Sequence, residues 1–156
     1  MLIVRMVLAI VLAAGSGSGP TAASITASPA ARATTMTDSL MQRFVDAWNA
    51  NDRAAMVAML QEDAFFKSPF QLRVGRAEIA RTVLTRNPPM LRNSRVEEQH
   101  STVHGDIAWS IGHTTAEVYD GDGHRTAEPF SADYVFVFTR HPGEPWRIQI
   151  MIYHEQ

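Results

Sequence analysis

The stretch "IAWSIGHTTAEVYDGDGHRTAEPFSADYVFVFTR", residues 107–140, decides the fold. Side chains of contrasting character alternate on both sides of "DGDG" at 120–123, which is the period of a half-buried strand. Asp-Gly is a hairpin signal, so the stretch reads as two antiparallel strands joined by a turn. The same period continues outward. "HGD" at 104–106 and "HPGEP" at 141–145 are turn sequences that set off two more candidates. The predicted strands are therefore 95–103, 107–119, 126–140 and 146–154.

Upstream of Ser94 the period lengthens from 2 to 3.6. Leu40, Met41, Phe44, Val45 and Trp48 recur at helical spacing, with Thr37 or Asp38 placed to cap the start. "NAND" at 49–52 breaks this helix, and Asp52 can cap a second one carrying Met56, Val57 and Leu60. A third helix is expected over 77–86, with Ile79, Val83 and Leu84 on one side and Pro88-Pro89 as its stop. Between the second and third helices, "AFFKSPFQLRVG" at 64–75 reads as a loop forming the lip of a pocket, with Gly75 opening the third helix. Helices first and a meander after give an α+β class: a curved antiparallel sheet packed against about three N-terminal helices.

The totals fit one compact domain. The chain has 156 residues, 46% hydrophobic and 19% charged, which is enough for a real core. A formal charge of −2 gives no electrostatic support for a nucleic-acid partner. There are no cysteines, which excludes disulfides, thiolate nucleophiles and cysteine-ligated zinc. Residues 1–35 differ from the rest. Arg5 precedes an apolar run at 6–14, small residues such as Ser28 and Ala30 follow, and the first carboxylate is Asp38. This segment fits a secretory signal peptide and linker, with the domain proper over 37–156. The expected location is secreted or periplasmic, and cytoplasmic if translation starts at Met36. The apolar run is too short for a membrane span, which needs about 20 residues.

The candidate chemistry lies on the strands. His100 and His104 are about 13 Å apart along a strand, too far to share one zinc, so no metal is expected. Likewise "DGDG" fits a hairpin better than a calcium loop, and no phosphate loop or nucleophile elbow is present. No cofactor is expected. On the strand 107–119, the odd positions carry Trp109, Ile111, His113, Thr115, Glu117 and Tyr119. A tight hairpin places Asp133 opposite Ile111 and diagonal to His113, and a bulge near Pro129 would shift this by a residue or two. Asp133 then shares a face with Val135 and Val137. An acid beside that apolar wall should have a raised pKa, or should pair with His113 as a proton donor and acceptor. In the last strand Ile148, Ile150, Ile152 and His154 alternate against Arg147, Gln149, Met151 and Tyr153, with His154 at the rim.

The element order, together with "MQRFVDAWNANDRAAMVAMLQEDAFF", "VGRAEI", "HGDIAW" and "PWRIQIM", resembles the nuclear transport factor 2-like superfamily. That superfamily includes SnoaL-like cyclases and ketosteroid isomerases. The resemblance covers about residues 37–154 and implies a cone-shaped sheet, a deep apolar pocket between helices and sheet, and often a homodimer through the sheet's outer face. Ketosteroid isomerases place an enolate-stabilising tyrosine in the first helix, where this chain has Phe44. They carry a general-base aspartate before a proline, where this chain has Ser68 before Pro69. Their second acid would correspond to Asp133. Two of three parts are missing, and a serine hydroxyl is too weak a base to take a proton from carbon unaided.

The expected function is thus an exported small-molecule-binding domain. Phe44, Trp48, Phe66, Ser68, Trp109, His113, Asp133 and His154 are its candidate site residues, the ligand an apolar small molecule, and the assembly a homodimer. The alternatives are an isomerase, cyclase or dehydratase using His113 and Asp133, and a dimeric structural module.

Overall fold

The computed structural model describes residues 29–84 and 90–156. Of residues 1–35, expected as a signal peptide and linker, residues 1–28 lie outside the described residues, as does the Pro88-Pro89 stop. The first helix, α1 (Pro29–Asn49), begins earlier than the apolar spacing suggested. A proline fits the first helical turn, where its missing N–H has no partner to lose. Thr37 is consequently an interior helix residue, fully buried, and its hydroxyl donates to Glu98 Oε1 at 3.3 Å rather than capping the helix. The break at 49–52 is as expected. Asn51 takes a left-handed conformation (φ 53°), and Asp52 Oδ1 accepts the Ala55 N–H at 2.9 Å to cap α2 (Arg53–Ala58).

Leu60 is not part of α2. It opens β1 (Leu60–Ser68), which turns through Pro69 and Phe70 into β2 (Gln71–Val74). The stretch 64–75 is therefore a hairpin, not a loop. Pro69 sits in the turn, where a missing N–H costs no ladder bond. Gly75 (φ 91°) then opens the short α3 (Arg76–Thr82), with its N–H bonded back to Ala64 O at 2.8 Å.

The remaining strands are β3 (Leu91–His104), β4 (Ile107–Val118), β5 (Phe130–Thr139) and β6 (Arg147–Glu155). All six strands form one sheet in the order β2-β1-β6-β5-β4-β3. Its pairs are antiparallel except β1 with β6, which run parallel. The architecture is α+β: three helices and a curved, open, mixed sheet.

Two bulges set which side chains face the helices. In β5–β6, Val137 pairs with Ile150 but Phe138 pairs with Ile148, so Gln149 is an extra residue. An extra residue reverses the alternation beyond it. Ile148 therefore points into the core at 0% exposure, while Ile150, Ile152 and His154 point outward and Met151 and Tyr153 point in. The single apolar face Ile148–Ile150–Ile152 expected for the last strand is split between two faces. In β3–β4 a comparable shift falls between Glu98 and His100.

The core joins Leu40, Met41 and Phe44 of α1, Met56 of α2 and Ile79 of α3 to the inward side chains of β5 and β6. On β4 the inward positions are Ala108, Ser110, Gly112, Thr114 and Ala116, all small and buried. Their smallness makes room for neighbouring groups. A Cβ on Gly112 would lie 2.2 Å from Glu97 O and 2.7 Å from the Tyr134 hydroxyl. No helix among the described residues is long and apolar enough to cross a membrane.

Candidate functional site

A cavity of about 440 Å³ opens between α1 and the inner face of the sheet. Helix α1 contributes Met41, Phe44, Val45 and Trp48 to its wall. Phe66 and Ser68 come from β1, Thr114 and Ala116 from β4, Tyr134 and Phe136 from β5, and Met151 and Tyr153 from β6. Phe136 is the hub of the aromatic wall, with ring centroids 5.5 Å from Phe44, 5.6 Å from Tyr134 and 5.7 Å from Tyr153. Phe70, 80% exposed, stands at the mouth with Gln71 and Met90. Trp48 is fixed by its indole N–H, which donates to Leu91 O at 3.2 Å.

The polar groups of the wall are few. The Thr114 hydroxyl is spent on Arg95 O at 2.9 Å. Burial pushes the Tyr153 hydroxyl well above the ordinary phenol range, with Tyr134 adding to it, so this group stays a neutral donor. Its ring packs on Phe66 at 6.0 Å, and Ser68 at the end of β1 shares the same cavity wall. Burial also raises Tyr134, against the lowering effect of its contact with Ser110, where the two hydroxyl oxygens lie 3.3 Å apart.

Behind that wall a polar chain runs to the far side of α1. The Ser110 hydroxyl donates to Glu98 Oε2 at 2.7 Å, and Glu98 faces Asp38 of α1. Partial burial, then the charge and hydrogen bond of Glu98, raise the Asp38 carboxyl above its ordinary value. For an acid whose folded pKa is raised, stability is full below that range and declines as pH rises through it. Asp38→Asn replaces the carboxyl by an amide that can donate to Glu98 at every pH. We expect it to raise Tm at pH 7 by about 1–3 °C, a modest gain because the pair is partly solvated. The gain should shrink as pH falls and Asp38 takes up its proton; a constant gain across pH would refute the coupling.

The sequence-predicted residues divide between the two faces of the sheet. Phe44, Trp48, Phe66 and Ser68 line the cavity. Trp109, His113, Asp133 and His154 do not; they belong to the outward rows of β4, β5 and β6. Trp109 packs there against the His100 ring at 5.0 Å. His113 and Asp133 are direct partners rather than diagonal ones, because the register slips by two residues between the Tyr119–Arg125 bridge and the Ala116–Phe130 pair. The irregularity near Pro129 is the cause. His113 Nδ1 lies 3.0 Å from Asp133 Oδ1, and Gln156 Nε2 donates to Asp133 Oδ2 at 2.9 Å. The His113 hydrogen bond, and next that of Gln156, lower the Asp133 pKa instead of raising it. An ionised, outward-facing Asp133 cannot act as a neutral acid donating into the cavity.

At the 119–125 turn, Asp120, Asp122 and His124 bring three exposed ligating groups within 4.8 Å of one another. Asp120 Oδ1 already accepts the N–H groups of Asp122 (3.0 Å) and His124 (2.8 Å), so the cluster is organised as a turn.

A family model for the SnoaL-like domain matches residues 41–148. The chain belongs to the SnoaL-like family. Solved structures agree on its fold, which is that of nuclear transport factor 2-like proteins. A conserved protein from Planctomyces limnophilus superposes with a TM-score of 0.67 at 14% identity, covering 79% of this chain and 95% of that one. A ketosteroid isomerase-like protein from Erwinia carotovora atroseptica gives a TM-score of 0.66 at 17% identity, over 76% and 92% of the two chains. An NTF2-like protein with a cystatin-like fold from Novosphingobium aromaticivorans gives 0.62 at 19% identity, over 80% and 82%. No curated protein matches this SnoaL-like chain. At these identities the likeness carries the fold of the SnoaL-like domain and none of its neighbours' chemistry.

Proposed function

We propose that this SnoaL-like domain binds an apolar small molecule in the cavity between α1 and the inner sheet face. The observation that carries the reading is the wall itself: aromatic and methionine side chains from α1 and from β1, β5 and β6 surround about 440 Å³. Volumes of this order suit ligand sites, in which a few polar groups fix orientation. Here the Tyr153 and Ser68 hydroxyls can serve that role. An isomerase, cyclase or dehydratase reaction using His113 and Asp133 draws no support from this cavity, because both side chains face away from it. A thermal-shift screen of hydrophobic metabolites is expected to yield stabilising ligands. Ala116→Phe, which projects a ring into the void from β4, should abolish their effect while the variant remains folded. If no ligand stabilises the chain, or if Ala116→Phe leaves the shifts intact, the reading fails.

A homodimer through the outer sheet face is the second reading, and one observation favours it. Ile111, Val135 and Ile152 form one outward row, and Trp109, Val137 and Ile150 form the next, with Ile107 beyond them 53% exposed. Such a contiguous apolar strip exceeds what scattered surface residues explain. Ile111→Glu would bury a charge in the interface. It is expected to convert a dimer to a monomer in light scattering without lowering Tm by more than a few degrees. A wild-type monomer at high concentration would rule the dimer out.

A further inference from the structure

Beyond the apolar strip, the next outward rows hold a polar chain that the cavity does not use. His113 on β4 pairs directly with Asp133 on β5, and Ser131 lies two residues earlier on the same face of β5. The imidazole bridges the two. Its Nδ1 is 3.0 Å from Asp133 Oδ1 and its Nε2 is 3.1 Å from Ser131 Oγ. A carboxylate can only accept, so the ring proton sits on Nδ1, which leaves the Nε2 lone pair to accept from the Ser131 hydroxyl. Asp133 is itself held from behind by Gln156 Nε2 at 2.9 Å, and the Gln156 N–H bonds Ser131 O at 3.2 Å.

We propose that Ser131, His113 and Asp133 form a nucleophilic triad on the outer face of the sheet, taking acyl groups from activated aryl esters. The roles follow from the hydrogen-bond order. Ser131 Oγ bonds to the ester carbonyl carbon while its proton passes to His113 Nε2. The bond between that carbon and the aryloxy oxygen then breaks, and the leaving phenolate takes that proton. Water repeats the sequence on the acyl-serine, losing its proton to Nε2, and the acyl group leaves as a carboxylic acid while Ser131 recovers its hydrogen. Asp133 is a positioning residue, which keeps the ring proton on Nδ1. The substrate class follows from the setting: sheet N–H groups are committed to the ladder, so the ester must carry a leaving group that departs readily.

The test is labelling of the intact chain with a fluorophosphonate probe, in which an Oγ–P bond forms and fluoride leaves. We expect one adduct, mapped to Ser131 by peptide mass, and none in Ser131→Ala. His113→Gln should slow labelling by about 10²-fold, the scale of general-base catalysis. p-Nitrophenyl acetate hydrolysis should fall in the same order. Asp133→Asn should slow labelling too, and nitrogen NMR should find the His113 proton moved from Nδ1 to Nε2, a signature a purely structural role would not produce. Because the chain has no cysteine, Ser131→Cys introduces a single thiol and gives an independent reading. Its alkylation by iodoacetamide should be at least about 10-fold faster with His113 than with Gln at that position. An adduct elsewhere, no adduct, or rates indifferent to His113 in both assays would overturn the triad.

Discussion

Replacing Phe136 by alanine is expected to lower stability by about 3–5 kcal/mol, the usual cost of deleting a buried aromatic ring. Phe136 is fully buried on β5 and contacts four aromatic rings: Phe44 of α1, Tyr134 and Phe138 of its own strand, and Tyr153 of β6. No single neighbour can move in to fill the space, because Phe44 is held by its helix and the others by the ladder. The lost ring also joins its volume to the existing cavity, so the void grows rather than collapses. A domain of ordinary stability has about 5–15 kcal/mol to lose, so Phe136→Ala removes a large part of it. Urea unfolding measures this as a fall in midpoint at constant slope. A loss under about 1 kcal/mol would mean that the aromatic wall is not the keystone of the packing.

The second large effect comes from adding one carbon. Gly112→Ala places a Cβ 2.2 Å from Glu97 O and 2.7 Å from the Tyr134 hydroxyl. A flexible side-chain tip can yield, but Glu97 O belongs to the backbone of β3, opposite His113 in the ladder. Relief requires β3 to move away from β4. Overpacking of this kind costs about 1–3 kcal/mol and more when backbone must shift. Gly121→Ala is the control, since nothing lies within 4 Å of its added methyl. Thermal unfolding should separate the two clearly. Faster amide exchange confined to β3 and β4 would locate the damage. Tyr134→Phe in the Gly112→Ala background should recover little, because the backbone clash remains.

Much of this architecture was legible in the sequence. Phe44 and Trp48 at helical spacing gave α1 and its end at Asn49 but not its start at Pro29, while the alternation through residues 107–140 gave β4 almost to its ends and β5 with a start four residues early. Less legible was the hairpin of β1 and β2. Leu60–Ser68 contains no β-branched residue, so its strand propensity is weak. What holds it extended is the parallel pairing of Phe66 with Met151, a partner far along the chain. The one local sign was Ser68-Pro69-Phe70 between two short stretches of mixed alternation.

The site was half legible, for a different reason. Alternation separates a strand's two faces but does not say which one meets the helices. On β4 the large side chains Trp109, Ile111 and His113 suggested the inner face, yet helix packing took the face of small ones. The decisive sign lay on β5, where Tyr134, Phe136 and Phe138 all share the parity that turned out to be inward. Ser131 escaped notice because its activation depends on a register that a two-residue irregularity near Pro129 sets.

The sheet order places β6, the last strand in sequence, between β1 and β5 rather than at an edge. The seam that joins the β1–β2 hairpin to the β3–β5 meander is thus synthesised after both of the parts it joins. Until it arrives, each part presents an unpaired strand to its surroundings. Long-range parallel pairing of this kind is slow to form. For this chain the hazardous interval is therefore during synthesis: nascent molecules stalled before Arg147 are the ones that chaperones would have to hold apart.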